Sequence, residues 1–159
     1  MPALNEVKHY ISGYVDGEGC FSVSFSMRKK LLVGWETKPS FSVSQNRERA
    51  QVLHLMKKVF GCGFLRQDRK TLKYEVRSLA DLVNKIIPHF EKYPLLSTKN
   101  NDFKYLKQVC RLMLKREHCK ASGLKKVTRI AFKMNPDGTR RYSQEYILRT
   151  LRWRYSLCH

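Results

Sequence analysis

Residues 11–19, Ile11-Ser12-Gly13-Tyr14-Val15-Asp16-Gly17-Glu18-Gly19, decide how the rest of this chain is read. Gly13 and Gly17 stand four apart, so they share one face of a helix. Glycine inside a helix costs roughly 0.5–1 kcal/mol against alanine. What a bare stripe offers in exchange is close approach, because a second helix can pack against it backbone to backbone. The stretch closes on Asp16 and Glu18, alternating with Gly17 and Gly19. A carboxylate at the end of such a helix pair lies beside its mate from the other helix, and the two together can hold a divalent metal. The simpler alternative is an ordinary amphipathic helix that stops at Gly17 or Gly19.

Charge is the next constraint. The chain carries 32 basic against 13 acidic residues, a formal net charge of +19 in 159 residues. A globular chain this basic faces a polyanion. The length suits one domain, 1–159, and the 42% hydrophobic content supports a sizeable core. A membrane surface fits poorly, since no segment joins a long apolar face to a purely basic one. No run approaches the ~20 apolar residues of a membrane span, and the first ten residues lack a signal-peptide core. The five cysteines, Cys20, Cys62, Cys110, Cys119 and Cys158, are odd in number and widely spaced. That suits free thiols in a reducing compartment. His118-Cys119 and Cys158-His159 lack zinc-type spacing.

Beyond the opening helix, read as residues 4–17 with Leu4, Val7, Ile11 and Tyr14 inward, the period changes to two. Phe21, Val23, Phe25 and Met27 alternate with Ser22, Ser24, Ser26 and Arg28. Phe41 and Val43 alternate with Ser40, Ser42 and Ser44. One sheet face is thus apolar and the other small, polar and cationic. A face of that kind lies close to a nucleic-acid groove, and a two-stranded ribbon enters the major groove. Asn46 is placed to cap a second helix, with Val52, Leu55, Met56, Val59 and Phe60 as its apolar stripe and Gly61 as its stop. Residues 64–67 and 72–77 form a second hairpin. Ser78 with Asp81 caps a helix that Pro88 should end or kink. Ser97 or Thr98 caps the next, through Phe103, Leu106, Val109, Cys110 and Met113. From Lys115 the chain is markedly basic, and Gly123 is a candidate break. Asn135-Pro136-Asp137-Gly138 is a turn, and Ser143 caps a last helix.

The order helix, hairpin, helix, hairpin, helices, together with the 11–19 stretch, resembles the LAGLIDADG homing endonucleases. Phe41-Ser42-Val43-Ser44-Gln45 is similar to that family's second strand and the glutamine after it. Tyr93-Pro94-Leu95-Leu96-Ser97-Thr98-Lys99 is similar to its lysine-bearing segment. The resemblance covers roughly residues 5–115 and leaves 116–159 as a basic helical extension. It implies an α+β fold with an αββαββα core and a DNA-binding sheet of two antiparallel hairpins. It implies a site-specific, divalent-metal-dependent DNA endonuclease of the intron-homing type, cutting a long pseudo-palindromic duplex.

The resemblance also distributes roles. Glu18 and the Gly17 carbonyl hold Mg2+ or another divalent cation such as Mn2+. Gln45, Arg49 (four residues after Gln45) and Lys99 order water or stabilise the phosphate. Asp16 has a structural part at the helix end. A single copy of the signature implies a homodimer, joined through Ser12, Gly13 and Gly17. The polar faces of the hairpins are the candidate readers of DNA: Ser22, Ser24, Ser26, Arg28, Lys38, Ser40, Ser42, Arg66, Lys73, Glu75 and Arg77. Arg47, Lys115, Arg116, Arg140 and Arg141 suit phosphates. The competing readings are an inactive nucleic-acid binder on the same fold, either an RNA maturase or a DNA-binding regulator, and a basic RNA-binding protein of unrelated fold. The expected setting is intracellular, in a chloroplast, a mitochondrion or the bacterial cytoplasm.

Overall fold

In the computed structural model, which describes residues 2–152, the period-two segments build one four-stranded antiparallel sheet. Its strands are β1 (Gly19–Met27), β2 (Trp35–Asn46), β3 (Phe64–Asp68) and β4 (Thr71–Val76), in the spatial order β1-β2-β4-β3. Phe21, Val23, Phe41, Val43, Tyr74 and Val76 are buried on one face. Residues of opposite parity make the other face, where Cys20 pairs with Ser42, Ser42 with Glu75, and Ser44 with Lys73. The α+β class and the two-hairpin sheet are therefore as the sequence implies. Strand β2 runs five residues earlier than its serine alternation marks, because Trp35, Thr37 and Pro39 continue the inward set.

The helices cover the apolar face. They are α1 (Leu4–Glu18), α2 (Gln51–Phe60), α5 (Lys99–Leu114), and one continuous helix made of α3 (Leu79–Asp81), a π turn (Leu82–Ile86) and α4 (Ile87–Lys92). Aromatic rings join the two layers: Phe21 lies 5.4 Å from Phe90 and 5.6 Å from Phe103, centroid to centroid. Two further helices, α6 (Ala121–Ala131) and α7 (Gln144–Arg149), extend the core. Among the described residues no helix is long and apolar enough to cross a membrane. Cys158 and His159 lie outside the described residues.

Several local expectations are corrected. Pro88 does not end its helix, which continues to Lys92. The π turn precedes Pro88, with the Ile87 N–H reaching back five residues to Leu82 O, and this wider turn absorbs the proline's missing donor. Asn46 makes no side-chain cap, since a 3-10 turn (Arg47–Arg49) intervenes before α2. Leu4 is 61% exposed, whereas Val15 takes the inward place next to Ile11. Gly123 does not break a helix but lies buried inside α6. A Cβ there would stand 2.0 Å from the Glu117 carbonyl oxygen. Gly123→Ala should therefore destabilise the chain by about 2 kcal/mol or more, read as a lowered urea midpoint with unchanged slope.

The extension seals the sheet's free edge. On β1, Asn135 Nδ2 donates to Phe21 O (2.7 Å) and Arg140 Nη1 to Val23 O (2.8 Å). Arg140 also donates to Ala131 O (2.5 Å). Arg140 is thus a clamp on an edge strand rather than a free phosphate contact, and the unpaired backbone of β1 is covered. Trp35 Nε1 donates to Thr150 Oγ1 (3.1 Å), tying the chain's far end to the start of β2.

Candidate active site at the end of the first helix

Helix α1 is held from both sides by contacts local to its last two turns. Ser12 is 4% exposed, and its hydroxyl donates to Tyr93 O at 2.7 Å. With that proton used, His89 must be the donor in its 3.1 Å contact with Ser12 Oγ. His89 thus carries a proton on Nε2. Ser12 was expected at a dimer interface. It is corrected here to an anchor inside its own chain, because its side chain points into the core.

Burial pushes the His89 pKa down to about 4, with Lys8 and His9 adding repulsion. The folded state therefore keeps His89 neutral where the unfolded chain would bind a proton. Stability should fall as pH drops from 6.5 toward 4, by roughly 3 kcal/mol for this group alone. Urea midpoints across that window check this, and His89→Gln should flatten the dependence.

One turn later, Asp16 faces the loop before α5. Its carboxylate accepts from Leu96 N (3.0 Å), Ser97 N (2.9 Å) and the Ser97 hydroxyl. Burial alone would raise its pKa. The Ser97 hydroxyl, the two N–H donors and the Lys99 charge outweigh that and hold it below its ordinary value. Asp16 is therefore fully engaged within its own chain, in agreement with a structural part. Lys99, the first residue of α5, donates from Nζ to Val15 O at 3.2 Å. That contact sets its ammonium at the C-terminal end of α1.

Glu18 differs from Asp16 in exposure and in lacking its hydrogen bonds to the loop before α5. It is the exposed last residue of α1 and makes no ion pair among the described residues, in a chain with 32 basic side chains. The last turn of α1 holds no basic residue. Helix C-termini carry unsatisfied carbonyls and partial negative charge. The end of α1 therefore gathers hard oxygen donors, the Glu18 carboxylate and the last helical carbonyls, with Lys99 on Val15 O beside them. Those donors suit Mg2+, which needs only one or two carboxylates and keeps several waters. Among the described residues no three His, Cys, Asp or Glu side chains of one chain could hold a metal.

Gln45 joins this end of the helix from β2. Its Nε2 donates to the Tyr14 hydroxyl (2.5 Å), and its Oε1 accepts from Asn46 N (2.8 Å). Tyr14 is a positioning group that sequence reasoning missed, since its helical spacing marked it only as core. Arg49 is exposed in the 3-10 turn and is tied to neither Glu18 nor Lys99. Gly13 and Gly17 are exposed, and a Cβ at either would meet nothing of its own chain within 4 Å. The stripe is bare and open. Gly19 is different, because a Cβ there would stand 2.5 Å from Val15 Cγ1, so this glycine is needed for the helix-to-strand bend.

The polar sheet face begins where α1 ends. Ser22 lies opposite Ser40, Ser24 opposite Lys38, and Arg66 opposite Lys73. Ser40 and Ser42 form its floor, 9% and 7% exposed. Glu75 was expected to reach toward a base. It is corrected to an anchor, 4% exposed, accepting from Ser40 Oγ (3.0 Å) and paired with Arg77 (3.0 Å) and Lys73 (3.7 Å). Burial opposes its charge, but Arg77, Ser40 and Lys73 hold its pKa below the usual value. It fixes two cations in place instead of reading outward. Arg28 is likewise paired with Glu36 at 2.7 Å.

Known proteins share this arrangement. The profile described as LAGLIDADG endonuclease matches residues 11–110. Probable intron-encoded endonuclease 2 of Neurospora crassa is 34% identical over 121 residues, which is 74% of this chain and 27% of that protein. The chain spans about a quarter of the length of the first curated relatives it matches. Among solved structures, the homing endonuclease I-TnaI is 34% identical with a TM-score of 0.79, covering 90% of this chain and 94% of that one. The archaeal intron-encoded homing endonuclease I-Vdi141I, complexed with DNA, is 26% identical with a TM-score of 0.85, covering 93% and 96%. With the signature helix, the two hairpins and the matched span in agreement, the chain belongs to the LAGLIDADG endonuclease family.

Proposed function

We propose that this chain is a site-specific DNA endonuclease of the intron-homing type, acting as a homodimer with divalent metal. The observation that carries the reading is Glu18: an exposed carboxylate that makes no ion pair among the described residues, at the end of a helix whose neighbouring stripe is bare. Two copies related by a two-fold axis would bring two Glu18 side chains and two Gly17 carbonyls together. A closed two-fold dimer matches a near-palindromic duplex. Near end-to-end similarity to I-TnaI and to DNA-bound I-Vdi141I supports the assignment.

In this reading the sheet's polar face lies in the major groove, with Ser22, Ser24, Ser26, Ser40 and Ser42 allowing close approach. Arg28, Lys38, Arg66, Lys73 and Arg77 donate to base edges or phosphates. Glu18 and the Gly17 carbonyl would hold Mg2+, which when bound would supply water activation and charge stabilisation at the scissile phosphate. Lys99, set at the end of α1 by Val15 O, places positive charge beside the scissile phosphate. Gln45, oriented by Tyr14, orders water there. Arg49 is free to reach the phosphate once DNA is bound.

The test is a randomised duplex library incubated with the purified chain in Mg2+ or in chelator. Cleaved duplexes in Mg2+ alone are expected. Binding without cutting in either condition would move the function to a maturase or regulator on the same fold.

A further inference from the structure

The charge of this chain is not where its sheet is. On the polar face and the residues just past its strands, seven cations (Arg28, Lys38, Arg47, Arg66, Arg69, Lys73, Arg77) stand against three anions (Glu36, Asp68, Glu75), net +4. Residues 104–133 hold ten Lys and Arg against Glu117 alone, net +9. Nearly half of the chain's +19 therefore sits on α5, α6 and their connection.

That layer lies behind the sheet. The inward side of α5 carries Phe103, Leu106, Val109, Cys110 and Met113 into the core, with Phe103 packed at a tilt against Phe21 on the sheet's apolar face. The inward side of α6 carries Leu124, Val127, Thr128 and Ala131. Their outward sides meet along one open groove. Arg111 and Lys115 wall it from α5, Lys126 and Arg129 from α6, and Leu112 and Ile130 make its floor. The spacings are those of helical stripes, four apart in Arg111 and Lys115 and three apart in Lys126 and Arg129. All four cations are exposed, and none makes an ion pair among the described residues. A duplex seated on the polar face lies on the far side of the sheet from this groove.

We propose that the α5–α6 groove is a second, sequence-independent binding surface for the backbone of duplex DNA. The walls supply charges to phosphates, and phosphate contact alone carries no sequence information. The floor is aliphatic, so the groove lacks the aromatic platform on which single-stranded bases stack. A protein with such a surface holds one duplex segment behind while its sheet samples another. This goes beyond the nuclease reading and does not depend on it.

The probe is an unrelated 30-base-pair DNA duplex, titrated by fluorescence anisotropy at several salt concentrations, beside an RNA duplex of the same length. The back variant combines Arg111→Gln, Lys115→Gln, Lys126→Gln and Arg129→Gln. These are exposed helical sites, where glutamine has similar helix propensity. The front variant combines Lys38→Gln, Arg66→Gln and Arg77→Gln. A third variant, Arg111→Lys with Arg129→Lys, keeps the charge, and circular dichroism melts report folding of all three. The expected result is at least a tenfold loss of DNA-duplex affinity in the back variant, with the salt slope reduced by roughly 3–4. The front variant should lose less than the back variant, and the charge-keeping variant should bind like the wild type. Wild-type affinity in a folded back variant would overturn the proposal. So would a larger loss in the front variant, or tenfold tighter binding of the RNA duplex. Cleavage is not the readout, so failure of the nuclease reading would leave this result standing.

Discussion

Glu18→Gln should abolish strand cleavage while leaving duplex binding within about twofold. The substitution keeps size and hydrogen bonding but removes the Glu18 negative charge at the end of α1. Loss of a metal-held transition state is worth several kcal/mol, and about 4 kcal/mol corresponds to roughly 10³-fold in rate. Folding should not change, because Glu18 is exposed and makes no ion pair among the described residues. Asp16→Asn is the informative contrast. Asp16 is bound by Leu96, Ser97 and the field of Lys99, so its loss should lower thermal stability and cleavage together. Single-turnover cleavage and anisotropy on one library-selected duplex separate the two cases. Residual cleavage within tenfold of wild type in Glu18→Gln would place the metal elsewhere.

Gly13→Leu is the second large effect, and it has opposite signs on the chain and on the assembly. A Cβ at Gly13 meets nothing of its own chain within 4 Å. Helix propensity alone should stabilise the single chain by about 0.5–1 kcal/mol. Overpacking between two helices costs about 1–3 kcal/mol. A two-fold interface places the new side chain there twice, so dimerisation should weaken roughly 100-fold or more. Sedimentation equilibrium reads the association, and urea unfolding at low protein concentration reads the chain. Cleavage should fall with the dimer. An unchanged dimer would move the interface off α1.

The fold was legible in the sequence wherever one periodicity ruled a segment. Phe21-Ser22-Val23-Ser24-Phe25 alternates without a break, so strand and face followed from it, while the register came only with the structure. The α5 stripe through Phe103, Leu106, Val109 and Met113 was equally plain, and all of it is buried. What escaped was set by atoms distant in sequence. Pro88 reads as a break because its own residue lacks a donor, and only the π turn before it shows how the helix continues. Gly123 reads as a break, but it is glycine because the Glu117 carbonyl leaves no space for a Cβ. The extension's task could not be read from its charges, since Asn135 and Arg140 act on β1 carbonyls more than 110 positions away.

For the site, chemistry was easier to read than direction. The signature singled out Glu18 and Asp16, and the family resemblance gave them different parts. The structure separates them by partner: Asp16 is bound, and Glu18 makes no ion pair among the described residues. Ser12 and Glu75 were misread for a common reason. A serine beside a glycine stripe, or a glutamate in an alternating strand, can face either way once a neighbour competes for it. Tyr93 O and His89 draw Ser12 inward. Ser40, Lys73 and Arg77 draw Glu75 down into the sheet.

The most direct test of the composite, two-fold site is to sequence both ends of every duplex that the wild-type chain cuts from a randomised library in Mg2+. The account predicts one enriched pseudo-palindromic sequence, cut once on each strand at positions symmetric about its centre. Cuts on one strand only, or an enriched sequence without two-fold symmetry, would contradict the pairing of two Glu18 residues across two copies of α1.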